Sequence, residues 1–293
     1  MKVLITGSNG FLGQHLVLHL SKEGFDVIAV SRGENRIAVN ALYTYESIDL
    51  TDEFTVANVL DKYKPDVVIH NAAMSKPDEC NNNTAACLKH NIDATEYLLQ
   101  HCLPTAHFIY ISTDFVFGED GPHSEDDIKG PLNFYGESKL QAERLVEQRT
   151  GLNTIVRPVF IYGQALQGMR PSFLHWVKNN LEQGKPIKVV SDQQRTPTYV
   201  IDICKGIETI IKQKEHGSFH LAGMDIISPY NMATTVADVL GLNKDLIENV
   251  TSATFPEPVK RAKKSGLKID KAKAVLNYNP VNFEEGVRLC FNV

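Results

Sequence analysis

Two hydrophobic rhythms alternate along the chain. Short runs rich in β-branched residues are apolar along nearly their whole length: "KVLIT" at 2–6, "DVIAV" at 26–30, "DVVIHN" at 66–71, "HFIYIS" at 107–112 and "NTIVRP" at 153–158. Weaker runs are "SID" near 47–49, "IKVV" at 187–190 and "SFHLA" at 218–222. Longer stretches with helical spacing separate them, near 11–23, 52–63, 84–102, 134–149, 171–183, 199–214 and 229–240. Strands that lack polar alternation are buried on both faces, and their alternation with helices marks βαβ units. The pattern predicts an α/β fold, a doubly wound parallel sheet of Rossmann type, with ligands outside the carboxyl ends of the strands.

After about residue 160 the rhythm loosens and polar loops lengthen, among them "GQALQGMRPS" and "TSATFPEPVKRAKKSG". Residues 1–160 are therefore expected to form the nucleotide-binding sheet domain, with 186–214 returning to it. Residues 161–293 are expected to form mainly a smaller C-terminal, substrate-binding lobe over the same cleft. No internal repeat or low-complexity tract is present.

Composition narrows the partners. A chain of 293 residues, 43% hydrophobic and 22% charged, is that of a soluble globular protein large enough for a substantial core. A net charge of -5 supplies no bulk basic field for nucleic acid or an anionic membrane, so the expected partner is a small molecule, with a homodimer left open. No apolar run approaches the roughly 18 residues of a membrane span, and "MKVLITG" enters a strand at once, so a cytoplasmic location is expected. Five cysteines without a CxxC pair argue against a disulfide framework and a zinc site. His15 and His19 in "QHLVLH" have the i, i+4 spacing of zinc helices, but no Glu follows the first, and no metal is expected.

"TGSNGFLG" stands where the first strand turns into the first helix. Its Gly7, Gly10 and Gly13, with Asn9, Phe11 and Leu12, form a turn whose backbone can approach a pyrophosphate at the positive end of a helix dipole. The second strand ends in "AVSRGENR", with Ser31 and Arg32 where an acidic residue would select an unphosphorylated ribose. A 2′-phosphate meets a cation and a hydroxyl there, which favours NADPH, with NADH as the other option. In "IDLTD", Asp49 and Leu50 follow the third strand; Asp49 can bond an adenine amino group or cap the helix that begins near Asp52.

"FYGESKLQAE" sets Tyr135 four residues before Lys139, so the two share a helix face. Such pairs are commonplace, and the context decides. "TGSNGFLG", "HNAA" (70–73), "ISTDFVFG" (111–118) and "YGESK", in this order, resemble the extended short-chain dehydrogenase/reductase family over most of the chain. The resemblance implies that Tyr135 and Lys139 are the catalytic pair, with Thr113 a donor to the reacting carbonyl oxygen. It also implies that Asn71, Ala72, Ala73 and the backbone at "RPVF", including Pro158, line the cofactor. Ketone reduction leaves an alkoxide that needs a proton, and an ammonium one turn from a phenol is expected to lower its pKa.

Within the family, "STDFVFGEDG", "PLNFYGESKLQAE", "RPVFIYG" and "DQQRTPTYVIDI" are similar to dTDP-4-dehydrorhamnose reductases, which reduce a 4-keto nucleotide sugar. "MSKPDECNNN", "DQQRTPT" and "GSFHLAG" lean toward the regulatory β subunit of methionine adenosyltransferase, which binds NADP without catalysis. Sugar dehydratases place Asp-Glu after the threonine, where this chain has Asp114 and Phe115; epimerases share the Tyr/Lys machinery. The resemblance puts Thr113, Asp114 and Phe115 against the substrate and assigns its diphosphate to Arg195 and Arg261, with Gln193, Gln194 and Arg170 as weaker candidates.

Overall fold

The computed structural model describes residues 1–37, 42–166, 168–169, 171–255 and 258–293. The first half runs β1 (Lys2–Thr6), α1 (Phe11–Lys22), β2 (Asp26–Ser31), β3 (Tyr43–Ser47), α2 (Glu53–Tyr63), β4 (Val67–His70), α3 (Pro77–Asn82), α4 (Thr84–Leu88), α5 (Ala94–His101), β5 (His107–Ile111) and α6 (Phe134–Gln148). The second half runs β6 (Asn153–Arg157), β7 (Ile161–Tyr162), α7 (Phe173–Glu182), β8 (Ile187–Val190), β9 (Thr198–Tyr199), α8 (Val200–Gln213), β10 (Gly217–His220), α9 (Pro229–Leu240), β11 (Ile247–Val250), α10 (Asp270–Leu276) and α11 (Phe283–Phe291).

Among the described residues, seven strands form one sheet in the order β10-β6-β5-β4-β1-β2-β3, every neighbouring pair parallel. Strand direction alternates side chains between faces, so each strand feeds two cores. Val3, Ile5, Val27 and Ile69 pack with α1 and α8 through Leu16, Leu20, Ile203 and Ile207. Leu4, Ile28, Val68 and Phe108 pack with α2, α5 and α6 through Val56, Leu98 and Val146. Thr6 pairs in register with Val30 and with His70, which levels the ends of β1, β2 and β4. The order reverses at β1, and the crevice for a ligand opens there.

A separate core unites α7, α9 and α11 with β8 through Leu174, Val177, Val236, Val287 and Val189. The stretch 186–214, expected to return to the sheet domain, divides between the two parts. β8 pairs with β11 in its own two-stranded sheet, while α8 packs on α1. β10, expected in the lobe, is the seventh strand of the main sheet and pairs with β6.

Other differences are local. The third strand lies at Tyr43–Ser47, before "SID", because an edge strand half open to water tolerates "YTYES" in place of an apolar run. The helix expected over 84–102 is split by a π turn at Lys89–Asp93. There the buried Asn91 turns inward, accepting from Met74 N at 2.7 Å and donating to Ser138 Oγ at 2.9 Å. His15 bonds Gln164 O at 3.0 Å and His19 bonds Glu208 at 2.7 Å, so the zinc-like pair is spoken for separately. All five cysteines are free and buried, and no helix of the described residues is long and apolar enough to cross a membrane.

Among the described residues, one charged pair lies wholly inside. Glu143 on α6 receives Arg157 Nε and Nη2, both at 2.8 Å, with neither side chain exposed. Two parallel bonds satisfy the fork, whereas a lone buried guanidinium is costly. Glu143→Ala is expected to cost about 3–5 kcal/mol, read as a lower urea midpoint than that of the parent chain. An unchanged midpoint would show that Arg157 finds water or another acceptor.

Candidate active site

The segments after β1, β2, β3, β4, β5 and β6 meet at the carboxyl edge of the sheet around a cleft of about 780 Å³. Gly7, Gly10, Phe11 and Leu12 line one end, followed by Ser31, Arg32, Asp49 and Leu50. Asn71, Ala72 and Ala73 lie in the middle, and Thr113, Asp114, Phe115, Tyr135, Lys139 and Pro158 line the far end.

The first turn is built for close approach. Gly7 has φ +64, and a Cβ there would fall 2.8 Å from Ala72 Cα, so the β1 turn and the end of β4 touch backbone to backbone. At Gly13 a Cβ would sit 2.2 Å from Gly7 O, which locks α1 against the turn. α1 follows Gly10 at its N-cap, with no side-chain cap and no acidic residue in its first turn, leaving its N–H groups and positive dipole end for an anion. These residues fit a pyrophosphate. Asn9 and Gly13 are not among the lining residues. Asn9 instead donates to Glu34 O at 2.9 Å and accepts from Arg36 N at 2.9 Å, holding the loop that carries Arg32.

Beyond the second and third strands, the exposed Arg32 guanidinium stands 3.9 Å from Asp49. Asp49 is not the cap of α2; that cap is Asp52, which accepts from Phe54 N at 3.1 Å. Asp49 Oδ1 instead accepts from Thr51 N at 3.0 Å and Thr51 Oγ1 at 2.9 Å. Partial burial pushes the Asp49 carboxyl up, but the Thr51 bonds and the Arg32 charge outweigh it and hold it below its usual range.

At the chemical end, Asn133 caps α6 by accepting from Gly136 N at 3.0 Å and sets the start of the helix that carries Tyr135 and Lys139. Both side chains are buried. The Tyr135 ring meets Phe115 edge-on at 5.4 Å. Lys139 Nζ donates to Ile111 O at 2.7 Å and lies 4.1 Å from the centre of the Tyr110 ring. Burial pulls its pKa down to about 7, against an upward pull from the Glu143 charge. The tuning of Tyr135 expected from Lys139 does not prevail in this geometry. Burial raises the phenol well above its ordinary value; the Thr113 contact opposes the rise and the Asp114 charge adds to it.

Arg195 and Arg261 line a smaller pocket next to Asp114 and Phe115. Arg195 donates to Gln193 Oε1 at 2.7 Å and to Ser265 Oγ at 3.1 Å, and Arg261 pairs with Asp78 on α3 at 2.9 Å. Gln194 is held through its backbone, donating to Lys263 O at 2.7 Å. Arg170 lies outside the described residues. Sequence reasoning did not single out Ser112, whose buried hydroxyl lines the cleft and finds no partner among the described residues. Nor did it single out Asn91, Ser265 or the side chain of Phe160, which lines the cleft at φ +39. The only signal for Asn91 was a polar residue inside an apolar helix face.

The whole chain, residues 1–293, matches the model of the RmlD substrate binding domain family. The chain belongs to that family. It is thereby of the NAD(P)-dependent oxidoreductase type, in the extended short-chain dehydrogenase/reductase class. The spore coat polysaccharide biosynthesis protein SpsK of Bacillus subtilis is 31% identical over 85% of this chain and 83% of its own length. The methionine adenosyltransferase 2 subunit beta of Bos taurus is 29% identical over 86% of this chain and 76% of its own. The solved structure of dTDP-4-dehydrorhamnose reductase from Bacillus anthracis, in complex with NADP, superposes with a TM-score of 0.87 at 25% identity, covering 99% of this chain and 98% of that one.

A lysine whose pKa falls on folding leaves the unfolded chain binding more protons between about pH 7 and the ordinary lysine value. Lys139 should therefore make stability rise with pH across that window in cofactor-free protein. Urea unfolding from pH 7.5 to 9.5, on the order of the window's width, should show a steeper rise for the parent than for Lys139→Met. Equal slopes would place the Lys139 pKa outside it.

Proposed function

We propose that this protein is an NADPH-dependent reductase of a nucleotide-linked 4-keto sugar, of the dTDP-4-dehydrorhamnose reductase kind. The observation that carries the reading is a single cleft lined at one end by the Gly7 to Leu12 turn and Arg32, and at the other by Thr113, Tyr135 and Lys139. The bound nicotinamide would supply the hydride. The chain's part is to orient the carbonyl, exclude water and deliver a proton. Tyr135 Oη holds that proton firmly, as its raised pKa requires, and gives it up only to the alkoxide formed on the substrate, a far stronger base than a phenolate. Lys139 Nζ, fixed by Ile111 O, stands at that edge and carries positive charge below about pH 7. Asp114 has both oxygens engaged, one by Thr113 and one by Ser265, so it is not a free acid for dehydratase chemistry. The sugar and its diphosphate would lie under the C-terminal lobe, toward Arg195 and Arg261.

Purified protein is expected to oxidise NADPH when given a dTDP-4-keto-6-deoxy sugar, and Tyr135→Phe to cut kcat by about 100-fold or more with NADPH affinity nearly intact. Full activity of that variant would refute the proton donor. No turnover by the parent chain on a panel of keto sugars, with NADPH bound, would replace the reductase reading with that of a cofactor-binding partner protein, the role suggested by the bovine relative's name.

Cofactor choice gives a separate test. Arg32→Ala should weaken NADPH by about tenfold, the scale of one charge-assisted bond, and leave NADH within about twofold. Equal weakening of both would remove the 2′-phosphate role from Arg32.

A further inference from the structure

Ser265 belongs to the loop between β11 and α10, yet its hydroxyl ends beside the chemistry. We infer that Ser265 is a positioning residue that links the lobe to the orientation of Thr113, an inference that rests on the reductase reading above. Its Oγ donates to Asp114 Oδ2 at 2.7 Å and accepts from Arg195 Nη1 at 3.1 Å. Asp114 Oδ1 in turn accepts from Thr113 Oγ1 at 3.1 Å, and the Thr113 hydroxyl contacts the Tyr135 phenol. A chain of polar contacts thus runs from a guanidinium at the rim to the proton donor.

The direction of each bond gives the chain its consequence. A carboxylate only accepts, so the single Thr113 proton serves either Asp114 or the Tyr135 phenol, and while it bonds Asp114 it is closed to the cleft. Thr113 can offer that proton to a substrate carbonyl only when Asp114 releases it. Ser265, polarised by Arg195, takes up part of the Asp114 charge and anchors the carboxylate, which lowers the cost of release. Binding the remote part of the substrate near Arg195 therefore acts on the reacting carbonyl through Ser265 and Asp114, a contribution made in the transition state and read in kcat.

The backbone around Ser265 is held independently of its side chain. Ser265 N donates to Gln194 O at 3.0 Å, Gly121 N to Lys264 O at 2.9 Å, and His123 N to Gly266 O at 2.9 Å. Ser265→Ala removes the hydroxyl while this scaffold stays.

The test measures kcat, KM and NADPH affinity for the parent, Ser265→Ala, Asp114→Asn and the double variant, on the keto sugar that the parent reduces. Ser265→Ala should lower kcat by roughly tenfold, the scale of one bond to a charged group, with KM changed by less than about twofold and NADPH affinity kept. In the Asp114→Asn background the same change should cost nothing further, because both act through one carboxylate. The inference is overturned by a parent-like kcat in Ser265→Ala, by a loss confined to KM, by additive losses in the double variant, or by a loss that follows NADPH affinity. A parent that reduces no keto sugar removes the reductase reading itself and this inference with it.

Discussion

Everything at the cleft hangs from one constraint: a parallel sheet buried on both faces cannot slip in register. A shift by one residue would exchange the two cores, sending Val3 and Ile5 to the face of Leu4 and the reverse. With register fixed, the strand ends stand level, and the turns that follow them must meet along one edge. That edge is where backbone groups have no partner in the sheet, and where glycines, hydroxyls and a helix N-terminus can be turned toward a ligand without disturbing the core.

The chemical end shows how far burial governs reactivity. Tyr135 and Lys139 are neighbours on α6, but the ammonium is spent on Ile111 O and the Tyr110 ring, and both groups lose water. Loss of water raises the phenol and lowers the lysine, each toward its neutral form. The buried Glu143 charge, itself neutralised by Arg157, pulls Lys139 part of the way back. The pair is thus tuned by burial and by charges from other segments, Asp114 on Tyr135 and Glu143 on Lys139, more than by the distance between its two members.

The lobe reaches this edge through a loop. Residues 263–267 run between the segment after β5 and the segment before β9, bonded to both. Asp114, Ser265 and Arg195 are thereby brought together from three distant parts of the chain, and a site at the sheet edge is coupled to a surface made by the lobe.

The sequence by itself determined the sheet, the order of its motifs and the place of the glycine turn, because those depend on local patterns: apolar runs, glycines at Gly7, Gly10 and Gly13, and a helical Tyr135/Lys139 pair. It also placed Ser31, Arg32 and Asp49 at the ends of the second and third strands, where they line the cleft, since a strand's end is legible from the strand. Tertiary structure alone decided what depends on distant partners. The split of 186–214 follows from β8 finding β11, and the π turn from Asn91 finding Met74 and Ser138. The upward shift of Tyr135 and the bonds of Arg195 and Ser265 follow from burial and from loops that meet only in the folded chain. Hydrogen bonds across 70 or 151 residues leave no periodic trace in a single sequence, because nothing local demands them.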